Sequence, residues 1–411
     1  MASVRKRTWR SGGQDKTAWV VDYFDQQGKR RLKTCRTKKE ADEFRTTCSW
    51  EIKQGIHTPA STSITVAEAV AMWLEHGEAE ELEAGTLRTY SIVANEHVVP
   101  IIGKYRLAQL TRPMVEQFRD DLLTGAVPDG RKRSRVMARK ALGYLKAAIK
   151  EAQRRGKVAQ NVASEVQIKT NRGEDKRRKE IGVDVPDKAE ARAIIEAAPA
   201  RWRPLILTAV FCGLRSSELR GLTWDHVDFD QRLIRVRQRA DRWGKMGAPK
   251  TKAGRRDVPM APIVLNTLRE WKLACPRAEL GLVFPTPSGA VMDHAMVYRR
   301  CFGDVQIACG IARPKLDQAG TPVIKLDKDG VPVLDPETRK PVIVPVPKYG
   351  PHAFRHFCAS WLIEQGFGPK RIMGIMGHAS ITMTFDLYGH LFPAGEEDHE
   401  RLAAGQIGLV G

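Results

Sequence analysis

The sequence lacks the features that would hold a chain in a membrane, cross-link it or supply it with a metal. No apolar run approaches the roughly 20 residues that span a bilayer, and no signal peptide opens the chain. Its seven cysteines are scattered without a C-x-x-C pair or any metal-ligand spacing. No G-x-x-x-x-G-K-[ST] loop is present to cradle nucleotide phosphates. We therefore expect a soluble intracellular protein that needs no cofactor and no metal.

Positive charge, by contrast, is in excess, and it is concentrated in two segments. The formal net charge is +20 over 411 residues. Residues 1–57 carry 14 Lys and Arg against 7 Asp and Glu, and residues 131–180 carry 17 against 5. Such localised basic surfaces favour a polyanionic partner, above all a nucleic acid. Solvated surfaces that serve only solubility are the alternative explanation.

The length predicts two or three domains. Residues 1–57 show a two-residue alternation over 19–24, typical of a strand, and a capping box over 37–40 that opens a helix. Residues 64–165 show only helical patterns, among them a long apolar stripe over about 134–155. The first segment is therefore predicted to be a small β-sheet-plus-helix domain and the second an all-α domain.

The rest of the chain is predicted to hold a third domain. Residues 166–185 form a basic linker, either a solvated connector or a tether that follows phosphates. Residues 186–392 mix helices with a small β-sheet, and 313–348 within them suggest an inserted hairpin or arm. Residues 393–411 form a C-terminal tail, and we find no internal repeat. The predicted fold class is therefore multidomain, with a mainly α third domain.

Basic side chains of the first two domains are the candidates for nucleic-acid contact. A small basic sheet can lie in a DNA groove, as β-ribbon readers do, although a folded appendage with incidental charge would look the same. Cations along one side of a helix contact backbone phosphates and supply affinity without sequence information. The candidates are Arg5, Arg7, Arg30, Arg31, Arg135 and Arg139.

Reactive side chains are concentrated in the last sixty residues. His352-Ala-Phe-Arg355 places an imidazole and a guanidinium on one helix face. His378 precedes Tyr388 by ten positions, and Arg215 stands upstream at a predicted helix start. Arginine meets phosphate oxygens in a bidentate way and stays charged. A tyrosine becomes a covalent nucleophile once a neighbour takes its proton. This set suits holding a phosphodiester while a phenol attacks it.

Each of these signals is weak alone. Arg215 could be a surface partner of Glu218, and His352 and Arg355 could lie at the edge of a core. Tyr388 could be a packed aromatic. Their order and spacing together carry the inference. Because no carboxylates show metal-ligand spacing, fixed arginines are the expected means of stabilising phosphate charge.

The combined motifs resemble those of the tyrosine recombinases, the phage integrase family, whose catalytic fold is shared with type IB topoisomerases. Residues 186–392 resemble the family's catalytic domain, 64–165 its core-binding domain, and 1–57 the arm-site modules of its longer members. The resemblance implies a site-specific DNA recombinase that needs neither metal nor ATP. It would cleave and rejoin strands through a covalent 3′-phosphotyrosine, integrating or excising a mobile element such as a prophage.

The resemblance also implies roles for single residues. Two arginines and a histidine would hold the scissile phosphate, a second histidine would handle a proton, and the tyrosine would attack. A hairpin lysine would protonate the 5′-oxygen; Lys250 is the first choice and Lys252 stays open. The implied catalytic set is Arg215, Lys250, His352, Arg355, His378 and Tyr388, with Glu218 supporting Arg215.

The partners implied are double-stranded DNA at attachment sites, three further copies of the chain in a homotetramer, and accessory DNA-bending or directionality proteins. The implied location is the cytoplasm of a bacterial host, at the nucleoid. The 393–411 tail could pack on a neighbouring protomer or on its own domain. Two other functions are open: a monomeric type IB topoisomerase, and a DNA-binding regulator that has lost the chemistry.

Overall fold

The computed structural model describes residues 2–12, 14–59, 62–169, 180–317 and 319–389. The chain divides into two compact units, Met1–Asn171 and Arg172–Gly411. The division falls inside the expected 166–185 linker, of which residues 170–179 lie outside the described residues, as does the 393–411 tail. No helix of the described ranges is long and apolar enough to cross a membrane.

The first unit begins with a three-stranded antiparallel sheet covered by one helix. The sheet consists of β1 (Ser3–Ser11), β2 (Gln14–Phe24) and β3 (Arg30–Cys35) in that order, and α1 is Lys38–Gln54. Tyr23 and Cys35 on the sheet pack against Ala41 and Cys48 of the helix in a small separate core. Thr37 caps α1 as predicted by accepting a hydrogen bond from the Glu40 N–H.

Strand β1 was not predicted from the sequence. Its side chains from Arg5 to Arg10 are all exposed, so no apolar alternation marks it. The register that pairs Ser3 with Asp22 makes it a full edge strand of the sheet. The basic residues of the N-terminus therefore lie on a strand, where successive side chains alternate between faces.

The second part of this unit is helical, as predicted. Its long helix α6 buries Ala141, Leu145 and Ile149 completely or nearly so, and these side chains form the centre of the helical core. Thr65 and Glu68 make a reciprocal capping box at the start of α2. The helices are α2 (Val66–Ala79), α3 (Ala84–His97), α4 (Val99–Ile102), α5 (Arg112–Thr124) and α6 (Arg135–Arg154).

The second unit surrounds helix α8 (Arg203–Cys212), most of whose side chains are buried. Before it lies α7 (Lys188–Ala197), which begins with an Asp187–Glu190 capping box, and after it α9 (Ser216–Arg220). The small sheet consists of β4 (Val227–Asp228), β5 (Leu233–Val236) and β8 (Arg256–Pro259) in that order. Along the chain, a short hairpin of β6 (Arg239–Ala240) and β7 (Met246–Gly247) lies between β5 and β8.

The remaining helices complete the core on both sides of α8. They are α10 (Pro262–Ala274), α11 (His294–Met296), a π-helical segment (Val297–Gly303), α12 (Asp304–Ala308), α13 (Pro351–Glu364), α14 (Pro369–Met376) and α15 (Ile381–Tyr388). Helix α13 packs on α8 and on α14. Ser380 stands at the N-cap of α15, but its side chain makes no capping hydrogen bond. The multidomain, mainly α fold class is confirmed.

Between α12 and α13 the chain leaves the core as an arm. Its stem is an antiparallel pair, β9 (Ala312–Pro314) with β10 (Pro345–Pro347). Beyond the stem, many aliphatic side chains point into solvent; those at least 40% exposed include Leu316, Ile324, Leu326, Val331, Leu334 and Ile343. The predicted inserted hairpin is therefore present, with irregular pairing beyond its stem.

The prediction that the chain has no internal repeat was wrong for this arm. Three turns follow one another, each opened by Leu-Asp and closed by Pro-Val. In each, the leucine pairs with the proline in an isolated β-bridge, and the aspartate carboxylate accepts backbone N–H groups of the turn. The repeat is only about ten residues long and its third copy is altered, so it is easily missed. The three bridges are Leu316–Pro322, Leu326–Pro332 and Leu334–Pro341.

Candidate active site

Arg215 stands where α8 ends and α9 begins. Gly213 ends α8 with φ +59°, and a Cβ there would lie 2.9 Å from the Met376 sulfur, so the turn requires glycine. Arg215 is then the N-cap of α9, and its backbone N–H and Nη1 each donate to the Glu218 carboxylate at 2.8 Å. The predicted support of Arg215 by Glu218 is thus a direct contact, and the Arg215 side chain is 36% exposed.

Arg256 is a second arginine on the same carboxylate, and sequence reasoning missed it. Its Nη1 and Nη2 donate to the two Glu218 oxygens at 3.1 and 2.8 Å, and both side chains are at most 5% exposed. Burial alone would raise the pKa of Glu218, but the hydrogen bonds and charge of Arg256, with those of Arg215, lower it to about 2. An arginine two residues before the core residue Val258 in a strand faces the same side, which was the available signal.

Helix α14 ends at three consecutive carbonyl groups, and each accepts from a different arginine. The three arginines come from separate elements, β8, α13 and the turn before α9, so this helix end joins them. Cations are favoured there because unsatisfied carbonyls give a helix C-terminus a partial negative charge. The contacts are Arg256 Nε to Ile375 O at 2.6 Å, Arg355 Nη2 to Met376 O, and Arg215 Nη2 to Gly377 O at 3.0 Å.

Arg355 lies inside the cluster that these three arginines form with Glu218 at the end of α14, and it belongs to the first turns of α13. It is 3% exposed, and its Nη1 donates to Gly213 O at 2.5 Å. Burial and the nearby charges of Arg215 and Arg256 lower its pKa to about 9, so the guanidinium remains protonated at neutral pH. Two carbonyls hold it in place, which orients the fork for a third, anionic partner.

His378 follows the C-terminal glycine of α14. Gly377 has φ +62°, and a Cβ there would lie 2.8 Å from Ala253 O and 3.0 Å from Arg256 Cδ, so only glycine lets the chain turn this close to its neighbours. His378 Nδ1 is 2.9 Å from Thr384 Oγ1 of α15. Burial, and then the charge of Arg355 and its neighbours, lowers the pKa of His378 to about 4. The imidazole is therefore neutral at physiological pH.

Tyr388 ends α15 with its side chain 1% exposed. Its hydroxyl is hydrogen-bonded to Nδ1 of His356, a residue that sequence reasoning did not select. Burial raises the pKa of Tyr388 above its ordinary value. His352, the predicted proton-handling residue, is exposed on the first turn of α13, and its ring centroid lies 4.8 Å from that of His356. The two histidines are four residues apart and share one helix face.

The two candidate lysines lie on the connection that leads into β8. Lys250 is exposed, and so is Lys252 at the start of a short 3₁₀ turn, Lys252–Gly254. This turn reaches the cluster, because Ala253 O lies close to Gly377. The sequence of residues 249–259 predicts the turn and return strand of a basic hairpin, and the pairing of β5 with β8 confirms it. The choice between the lysines stays a prediction.

The structure thus brings Arg215, Arg355, His378 and Tyr388 to the end of α14, with His352 at the solvent-facing side. The geometry offers fixed cations and a neutral imidazole beside a buried phenol. Such an arrangement can bind a phosphate oxyanion by preorganised donors and supply a covalent nucleophile.

The six candidate DNA-contact residues lie in the first unit and in different environments. Arg5 and Arg7 are exposed on β1. Arg30 binds Asp22, and Arg31, with a side chain only 13% exposed, binds Asp25 at 2.8 Å, so both arginines also stabilise the sheet. In the helical part, Arg135 Nη1 donates to Lys169 O at 3.2 Å, and Arg139 is half-buried on α6.

Comparison with known proteins gives two family matches. Residues 185–309 and 342–394 match the phage integrase family, and residues 65–123 match the phage integrase N-terminal SAM-like domain. The interval that the first match omits covers most of the arm between β9 and β10. The conserved pattern of the family therefore includes every element that carries the cluster.

Individual relatives and solved structures agree with this assignment. Prophage integrase IntR of Escherichia coli K12 is 28% identical over 218 residues, covering 52% of this chain and 48% of the relative; the chain thus spans about half the length of such curated relatives. An integrase of Streptomyces ambofaciens is 26% identical and covers 89% of this chain and 86% of its own.

Two solved structures share the fold. The Tn1549 transposon integrase in complex with transposon right end DNA has a TM-score of 0.59 and 19% identity, covering 84% of this chain and 100% of its own. A lambda integrase tetramer bound to a Holliday junction has a TM-score of 0.52 and 16% identity, covering 91% and 92%. On the matches to its catalytic and N-terminal domains, the chain belongs to the phage integrase family, the tyrosine recombinases.

Proposed function

We propose that this protein is a site-specific DNA recombinase that cleaves and rejoins strands through a 3′-phosphotyrosine at Tyr388, integrating or excising a mobile element such as a prophage. The observation that carries the proposal is the convergence of Arg215, Arg355, His378 and Tyr388 at the end of α14. Relatives named integrase and transposase support the same reading.

In the proposed reaction the arginines stabilise the negative charge of the pentavalent phosphate in the transition state. Arg215 is held by Glu218 and Gly377 O, and Arg355 by two backbone carbonyls, so little reorganisation is needed when the phosphate enters. His378, neutral and tied to Thr384 through Nδ1, donates from its other nitrogen. Lys250, with Lys252 as the alternative, gives a proton to the 5′-oxygen, and His352 handles a proton at the open side of the site.

The proposed partner is double-stranded DNA, bound by four copies of the chain. A lambda integrase tetramer on a Holliday junction is the corresponding assembly of a protein with this fold. Residues 64–165 would hold the core site and residues 1–57 a distal arm site, and accessory DNA-bending or directionality proteins would join them. The proposed location is the nucleoid of a bacterial host.

Tyr388→Phe tests the chemistry. The variant should bind attachment-site DNA, taken from the sequence flanking the gene, with unchanged affinity and form no covalent adduct on a denaturing gel. Leu387→Met, beside it on α15, is the matched control and should form adduct at close to the wild-type rate. Adduct in the phenylalanine variant would remove Tyr388 from the role of nucleophile. Relaxation of supercoiled plasmid without an attachment site would favour a topoisomerase instead.

Arg5→Ala combined with Arg7→Ala tests the arm-binding role. Both residues are exposed on β1, so the fold should not change. If each contacts a phosphate, the slope of log affinity against log salt for arm-site DNA should fall by about 2, while cleavage of a short core site is unaffected. Arg45→Ala on α1 is the control. Equal loss on both substrates would contradict an arm-specific role.

A further inference from the structure

We propose that His356 is a further catalytic residue, which accepts the proton of the Tyr388 hydroxyl as this oxygen attacks the phosphodiester. The inference rests on the proposed function and assigns one step of it. The prediction from sequence gave proton handling to His352 alone, four residues earlier on the same helix.

The contact itself is direct. His356 Nδ1 and the Tyr388 hydroxyl form a hydrogen bond, and the two ring centroids are 5.7 Å apart. His356 is 9% exposed and Tyr388 is 1% exposed. With the phenol protonated, its O–H can donate to a neutral Nδ1. Burial, which raises the pKa of Tyr388, makes a base in contact with the hydroxyl necessary for nucleophilic attack at neutral pH.

His352 occupies a different place. It is exposed at the start of α13, and its ring meets that of His356 edge-on at 88°. His356 therefore lies between His352 and the phenol, on the inner side of the pair. This order places His356 in contact with the nucleophile and leaves His352 at the solvent-facing side of the pair.

The step balances without any further reactant. The Tyr388 O–H bond breaks and its proton moves to His356 Nδ1, giving an imidazolium. The phenolic oxygen forms a bond to phosphorus, the bond from phosphorus to the 5′-oxygen breaks, and that oxygen takes a proton from the lysine of the proposed mechanism. On rejoining, the 5′-hydroxyl returns its proton to the lysine and its oxygen attacks phosphorus. The bond from phosphorus to the phenolic oxygen breaks, and the departing phenolate recovers its proton from His356.

The experiment measures single-turnover adduct formation on a duplex carrying the attachment site, with either a normal or a 5′-bridging phosphorothiolate linkage. Because a thiolate leaves without being protonated, the sulfur substrate should rescue Lys250→Ala. It should not rescue His356→Ala, for which we expect a loss of roughly 10²–10⁴-fold on both substrates. His356→Asn places an amide oxygen near the position of Nδ1, so it keeps the hydrogen bond but cannot take the proton, and it should remain slow.

His226→Asn is the matched control, since His226 Nδ1 also lies beside a hydroxyl, that of Thr223 at 2.8 Å, and this variant should cleave within about twofold of the wild type. A wild-type rate in His356→Asn would reduce His356 to a positioning role and overturn the inference. Rescue of His356→Ala by the sulfur substrate would place it on the leaving group and do the same. If alanine prevents folding, the asparagine variant decides. Absence of adduct in the wild-type protein would instead refute the proposed function.

Discussion

Glu218 is predicted to be the most sensitive electrostatic position of the second unit. The carboxylate is 3% exposed and accepts hydrogen bonds from Arg215 and Arg256. Replacing it with glutamine keeps the shape but leaves the Arg256 guanidinium buried without a counter-charge. Removing one partner of a buried ion pair costs roughly 3–5 kcal/mol of unfolding free energy.

The pH dependence of stability gives a second, independent value for the free energy that the Glu218 carboxylate contributes to folding. The pKa of Glu218 falls from its ordinary 4.5 to about 2 in the folded protein, which corresponds to roughly 3 kcal/mol at about 1.4 kcal/mol per pKa unit. Because the folded-state pKa is the lower one, this contribution is fully present above about pH 4.5. It is lost as the pH falls toward 2. The stability difference between the wild type and Glu218→Gln should therefore shrink by about that amount over this window.

The assay is urea denaturation with pulsed hydrogen exchange of peptides from α13 and α14, which reports on the second unit alone. Glu364→Gln is the matched control, since this carboxylate is 49% exposed and pairs with Lys188 at the surface, and it should change stability by less than about 0.5 kcal/mol. A Glu218→Gln variant within about 1 kcal/mol of the wild type at pH 7 would refute the reasoning. So would a difference that does not change with acid.

Two further predictions concern backbone geometry. Gly377→Ala should destabilise the second unit by at least about 1–2 kcal/mol and slow adduct formation, because its φ is +62° and the new Cβ would lie 2.8 Å from a backbone oxygen. The control is Gly374→Ala on α14, which has open space around its Cβ and should be neutral or stabilising. Equal effects of the two substitutions in thermal denaturation would contradict this explanation. Replacing residues 316–343 by Asn-Gly keeps the β9–β10 stem and suits a two-residue hairpin. The unfolding free energy should stay within about 1 kcal/mol of the wild type, and the rate of core-site cleavage within about twofold. A larger loss would show that the arm supports the catalytic core.

Much of the site was predictable because local sequence patterns for helices and turns show on which element each reactive residue lies. The arginine before Glu218, the His352–Arg355 pair and the spacing from His378 to Tyr388 all placed side chains on elements that the structure contains. What the sequence could not supply was tertiary contact. His356 lies within a run of buried residues on α13 and looks like a core histidine until Tyr388 is placed beside it.

The fold shows the same division. The long helix α6, predicted over about 134–155 from its apolar stripe, spans Arg135–Arg154, and α1 begins at the predicted capping box, because local chemistry determines such helix ends. Strand β1 was missed because both of its faces carry polar side chains. Arg256 was missed because strand alternation shows only that it faces the core, and does not reveal its ion pair with Glu218, a residue 38 positions earlier.

The end of α14 has a consequence for how this protein can change. The three carbonyls belong to successive residues: those of Ile375 and Met376 are spaced by the 1.5 Å rise and 100° turn of the helix, and the left-handed Gly377 directly after it positions the third. A single residue inserted into or deleted from α14 would rotate all three acceptors away from their donors at once. Loops elsewhere in this unit can tolerate insertions and deletions, whereas this eight-residue helix cannot.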